Sequence, residues 1–249
     1  MPKSSLPRLD GIRVAISGGT SGLGLALVEA LRERGAVVAF VARHAERVHE
    51  VARQLPGTHG IVGDVSKKED IHRIALRVTA ALGGLDLLIN NASTLGRVPL
   101  GLLADTECEE LEDALTTNLV GPFRLTKTLL GALDASAREG RLALVINITS
   151  DAAVTPYPGW GAYGASKAAL SHLTRIWDEE RGSQGVRFEA IDPGDMDTPM
   201  HALAVPDADP KTLKPPARAA EEIVERIATM LQERRTDSET RNEASPATA

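Results

Sequence analysis

Short runs rich in Val, Ile and Leu alternate with longer stretches of helical period along this chain, and a glycine-rich turn joins the first such pair. IRVAIS (12–17) reads as a buried strand. SGGTSGLG (17–24) leads from it into GLALVEALRERG (24–35), an amphipathic helix stopped by Gly35. The alternation continues with strands AVVAFVA (36–42), THGIVGD (58–64), LDLLINN (85–91), LALVINITS (142–150) and VRFEAID (186–192). Helical patterns lie between them over 44–54, 66–82, 107–133 (as one or two pieces) and 162–181, and a last one covers 217–234. Ser66 and Glu69 have the spacing of a capping box at the third helix. The fifth run is apolar almost without interruption, as a parallel strand covered on both faces has to be. The expected fold class is α/β: a single-domain, doubly wound parallel sheet of six strands with helices on both faces, spanning 11–234. Residues 1–10 read as an N-terminal extension and 235–249 as a disordered polar tail.

A chain of 249 residues buries most of its apolar surface without staples. Its net charge of −6, with no basic stripe, argues against nucleic acid as a partner. No apolar run approaches the length needed to span a bilayer, and MPKSSLPRLDG at the start has no apolar signal core, so no membrane role is expected. The single cysteine, Cys108, rules out an internal disulfide and reads as an inert helix residue. It fits a reducing compartment, and a cytoplasmic location is expected. The six histidines are scattered, and no metal site is expected.

The chemistry concentrates at strand ends, where doubly wound sheets bind ligands. In the first turn, Gly18, Gly22 and Gly24 allow close backbone approach, with Thr20, Ser21 and Leu23 between them. The helix behind offers free N–H groups and a positive dipole end, which suit a pyrophosphate. After the second strand come Ala42, Arg43 and His44, where NAD binders usually carry an acid for the ribose hydroxyls. The guanidinium of Arg43 suits a 2′-phosphate instead, so NADP(H) is expected in preference to NAD(H). Asp64, followed by Val65, stands where it can accept from an adenine amino group. Finally, Tyr163 and Lys167 in YGASK share a helix face four residues apart. A charged lysine there would lower the tyrosine pKa and make a proton donor and acceptor for neutral pH.

Five blocks in order, the glycine turn, GDV (63–65), NNAS (90–93), NITS with YGASK, and DPGDMDT (192–198), resemble the tyrosine-dependent short-chain dehydrogenase/reductase family. The resemblance runs from about residue 11 to 231 and implies a Rossmann-type fold. It implies that Tyr163 is the catalytic acid/base, that Lys167 tunes it and holds the nicotinamide ribose, and that Ser150, thirteen residues earlier, binds the substrate oxygen. It implies that Asn118 shapes its helix and holds a relay water. Asn90 and Ala92 would pack beside the cofactor, and Pro193, Gly194 and Thr198 would grip its carboxamide.

The departures are Ser93 where a glycine is usual, Ser17 for a common Thr, and the absence of the family's seventh, C-terminal strand. Without that strand a homodimer through the helices of Asn118 and Tyr163 is expected, with a tetramer as the alternative. Tyr157 and Trp160 beside the fifth strand suggest an apolar pocket wall, and the proline-containing run 199–216 sits where relatives have a substrate lid. The implied function is NADP(H)-dependent interconversion of a small-molecule carbonyl and alcohol. The competing expectation is a non-catalytic dinucleotide sensor on the same fold.

Overall fold

The computed structural model describes residues 8–243, with side chains described through Glu233. Six strands, β1 (Arg13–Ser17), β2 (Val37–Ala42), β3 (His59–Val62), β4 (Leu87–Asn90), β5 (Leu144–Ile148) and β6 (Arg187–Ile191), form one parallel sheet in the order β3-β2-β1-β4-β5-β6. The helices between them are α1 (Gly22–Glu33), α2 (Ala45–Gln54), α3 (Lys68–Leu82), α4 (Cys108–Leu115), α5 (Gly121–Arg138) and α6 (Gly161–Arg181). A short α7 (Pro199–Ala204) and a long α8 (Pro216–Glu243) follow β6.

Alternate strand residues point to opposite faces, and both faces are covered. Val14, Ile16, Phe40 and Ile146 pack with α1 and α8 through Leu27, Leu31, Ile223 and Ile227. Ala15, Val41, Leu88 and Val145 pack with α3 and α5 through Ile74, Val78, Leu125 and Leu129. This double burial is why the strands read as apolar runs.

The order reverses between β1 and β4, whose ends are in register at Ser17 and Asn90. The Ser17 hydroxyl accepts from the backbone N–H groups of Asn91 and Ala92, both at 3.1 Å, and ties these two ends together. At the amino ends of the same two strands the fully buried Asp86 receives Arg13 and Arg141, and the Ser136 hydroxyl also donates to it.

Three local expectations need correction. Ser66 and Glu69 form no capping box: α3 starts at Lys68 and the Ser66 hydroxyl donates to Asp64 at 2.7 Å, a shorter-range partner that wins. The 107–133 pattern, expected as one or two pieces, is two, with a π turn at Thr116–Val120 between α4 and α5. Among the described residues the core begins at Leu9, which is buried and donates its N–H to the Arg34 carbonyl, rather than at residue 11. The last helix does not stop at residue 234 but continues to Glu243, through a segment with no Gly or Pro to break it. The remainder of the expected disordered tail, 244–249, lies outside the described residues, as do 1–7 of the N-terminal extension.

Candidate active site

The carboxyl ends of β1, β2, β4, β5 and β6 frame one cavity of about 740 Å³. At one end is the glycine turn. Gly18 has φ +75°, and a Cβ on Gly24 would lie 2.0 Å from the Gly18 carbonyl oxygen, so the turn closes only without side chains there. The α1 N-cap, Ser21, makes no side-chain cap, which leaves the first N–H groups of α1 facing the cavity. Gly24→Ala is therefore expected to open the turn and weaken binding of any nucleotide by about a hundredfold or more, measured by titration.

Arg43 and His44 follow β2 at the same end, exposed on the cavity edge, with Arg43 Nε donating to His44 Nε2 at 3.2 Å. Among the described residues no carboxylate stands at 42–44. Asp64 and Val65 also line this end, although one Asp64 oxygen is occupied by the Ser66 N–H and hydroxyl.

At the other end, Ser150 follows β5 and caps a short turn by accepting from the Ala152 N–H at 3.2 Å. Tyr163 enters from the first turn of α6 with only 8% of its surface exposed, edge-on to Trp160 at 5.7 Å. Lys167, one helical turn on, is buried; its Nζ donates to the Ile148 carbonyl at 2.8 Å and stands 5.6 Å from the Tyr163 ring centre.

The pKa directions differ from the simple expectation. Burial pushes the Tyr163 phenol up to about 12; the Ser150 and Ser93 hydroxyls act in the opposite sense, and the Asp192 and Asp151 charges add to the rise. Burial lowers Lys167 to about 8, so its charge is weakened rather than applied in full to the phenol.

Pro193, Gly194 and Thr198 line the cavity below α7. The segment after β6 is pinched at its base, where Lys214 donates its N–H to Asp195 and accepts from that of Asp197, each at 3.0 Å. Met200 and His201 of α7 face the cavity from this segment, and Tyr157 and Trp160 from the opposite wall.

All the expected site residues line this cavity except Asn90 and Asn118. Asn90 turns the other way, its amide donating to Asn147 at 2.8 Å and Thr126 at 3.1 Å. The neighbour, Asn91, faces the cavity and donates to the carbonyls of Ser17 and Gly18. Strand parity carried this signal, since consecutive residues of a strand point to opposite faces. Asn118 is fully buried in the π turn, where its amide nitrogen donates to Thr94 and Ser166 and its oxygen accepts from Thr94 and Ser93. Its side chain thus joins three segments around Tyr163 rather than opening onto the cavity. Ser93 is a partner in that network. Thr149, within NITS, and Asp151, just after it, also line the cavity, although neither was expected as a site residue.

The strand order and the cavity at its reversal define a Rossmann-type α/β protein. Residues 13–209 match the family model for short chain dehydrogenase, and the chain belongs to that family. It is 31% identical to oxidoreductase asL5 of Sarocladium schorii over 78% of this chain and 76% of that one. It is 29% identical to a glucose 1-dehydrogenase of Gluconobacter oxydans, over 83% and 77%. A solved short chain dehydrogenase of Escherichia coli CFT073, complexed with NADPH, superposes with a TM-score of 0.79 at 26% identity, covering 90% of this chain and 92% of that one. The chain is accordingly an oxidoreductase of the kind that acts on CH–OH and C=O groups. No helix among the described residues is long and apolar enough to cross a membrane.

Proposed function

We propose that this chain is an NADP(H)-dependent oxidoreductase in which Tyr163 is the acid/base for interconversion of a carbonyl and an alcohol. The observation that carries the reading is the convergence of Ser150, Tyr163 and Lys167 at one end of a cavity whose other end is a side-chain-free glycine turn. The cradle suits a dinucleotide: uncapped N–H groups of α1 for the pyrophosphate, Arg43 at the ribose position, and Thr198, whose side chain lies beside Gly22, with Pro193 along the same cavity. A bound nicotinamide dinucleotide supplies or accepts the hydride, and the chain supplies orientation and proton handling. In reduction, Tyr163 donates its phenolic proton to the oxygen that gains negative charge, and Ser150 stabilises that oxygen. In oxidation, the phenolate takes the proton back. Asn118 acts through position, holding the segments that carry Ser93, Thr94 and Ser166 around the phenol.

The preference for NADP(H) rests on Arg43, with no acid beside it. Arg43→Ala is expected to reduce the ratio of NADPH to NADH affinity by about tenfold or more, the loss of a charge-assisted contact to the 2′-phosphate. Equal titration curves for wild type and variant would remove Arg43 from this role. A non-catalytic sensor would bind NADPH but turn over none of a panel of ketones and alcohols. The homodimer reading is supported by an apolar groove on α5 and α6, lined by Leu119, Phe123, Leu173 and the exposed Ile176.

A further inference from the structure

We propose that the reacting carbon of the substrate carries a neighbouring hydroxyl, so that the substrate class is the vicinal diol and its α-hydroxycarbonyl counterpart, with Asp151 receiving the second hydroxyl. This deepens, and rests on, the oxidoreductase reading above.

The argument starts from the single proton of the Ser150 hydroxyl. Ser150 Oγ already accepts from the Ala152 N–H, and it donates to Asp151 Oδ1 at 3.0 Å. A hydroxyl has one hydrogen to give. When Ser150 turns that hydrogen to the substrate oxygen, Asp151 Oδ1 loses its side-chain donor. The carboxylate does not swing away to find another, because the Tyr157 hydroxyl donates to Oδ2 at 2.7 Å and holds it in place. A fixed acceptor is thereby left one hydroxyl's width from the reacting oxygen. A hydroxyl on the adjacent carbon of the substrate is the group that reaches it, and its hydrogen bond to a carboxylate is among the stronger neutral–charged kind.

The surrounding charges favour a substrate without an anionic group. Asp192 and Asp195 line the same end of the cavity as Asp151. Of the lining Arg and Lys side chains, Arg43 stands with the glycine turn and Lys167 is buried against Ile148, while His201 of α7 lies 3.9 Å from Asp195. Trp160 and Met200 offer apolar surface to the carbon skeleton.

The test is oxidation of cyclohexanol and of its vicinal diol, trans-cyclohexanediol, with NADP⁺ by wild type, Asp151→Asn and Asp151→Ala. Asp151 is exposed, so both variants are expected to keep the wild-type melting temperature and NADP⁺ affinity, which are measured alongside. Wild type is expected to favour the diol by about tenfold or more in kcat/KM, and Asp151→Ala to erase that preference, mostly through KM, with Asp151→Asn between them. The proposal is overturned if wild type shows no preference, or if Asp151→Ala changes both substrates by the same factor, which would mean that Asp151 only tunes Ser150. It is also overturned if the matching vicinal amino alcohol outruns the diol, since a cation would then be the preferred occupant. Steady oxidation of cyclohexanol with no diol preference sinks this inference alone. Binding of NADP⁺ without oxidation of any of these, or of the ketone and alcohol panel, sinks the oxidoreductase reading with it.

Discussion

Tyr163→Phe is expected to lower turnover by about 10²–10⁴-fold while leaving NADPH affinity within about threefold. The substitution removes one oxygen and keeps the ring against Trp160, so the wall of the cavity stands. On the proposed mechanism, the proton donor is what disappears. The pH behaviour of the wild type follows from the same group. Burial places the phenol at about 12, so it is protonated throughout the neutral range. Carbonyl reduction, which needs the acid form, is expected to be flat with pH there. Alcohol oxidation needs the phenolate, whose population grows about tenfold for each pH unit below the pKa, and its rate is expected to climb accordingly. Initial rates in both directions between pH 6 and 9 check this. A Phe variant that retains the wild-type rate would remove Tyr163 from the chemistry.

Lys167→Met is expected to do two opposite things: to cut turnover by about a hundredfold and to stabilise the fold at neutral pH. Burial lowers the lysine from 10.5 to about 8, which means the folded state disfavours its charge. Between those two values the unfolded chain binds a proton that the folded chain does not, so stability rises with pH through this window. Below it, the full penalty applies, on the order of 3 kcal/mol for a shift of this size. Methionine removes the penalty and forfeits the charge-assisted hydrogen bond to Ile148, worth about 2 kcal/mol, for a net gain on the order of 1 kcal/mol at pH 7. Thermal melts are expected to show the variant more stable than wild type at pH 7, with the difference shrinking as pH approaches 10. A variant less stable than wild type at pH 7 would show that the ammonium is compensated where it sits.

The two predictions separate what the sequence could and could not reveal. The parallel sheet was legible because strands buried on both faces must be continuously apolar, as in LALVINITS. The glycine turn was legible because only glycine tolerates a backbone carbonyl 2.0 Å from a would-be Cβ, as at Gly24. What stayed hidden depends on contacts distant in sequence or on competition between neighbours. Asp86 in LDLLINN looks like any strand-flanking acid, and its partners Arg13 and Arg141 come from far along the chain. The spacing of Ser66 and Glu69 matched a cap, but Asp64, two residues back, took the hydroxyl first. Asn90 and Asn91 are indistinguishable as letters, and only the parity of β4 sends the second one to the cavity. The spacing of Tyr163 and Lys167 gave their adjacency correctly but not its electrical result, because burial acts on both groups and sequence does not measure burial.

The central claim is that the cavity at the reversal of the sheet holds a nicotinamide dinucleotide against Tyr163. Its most direct test is titration of the wild-type chain with NADPH and with NADH, followed by protein fluorescence, since Trp160 lines the cavity. The account predicts one saturable site per chain with NADPH bound more tightly than NADH. No saturable binding of either nucleotide would contradict it.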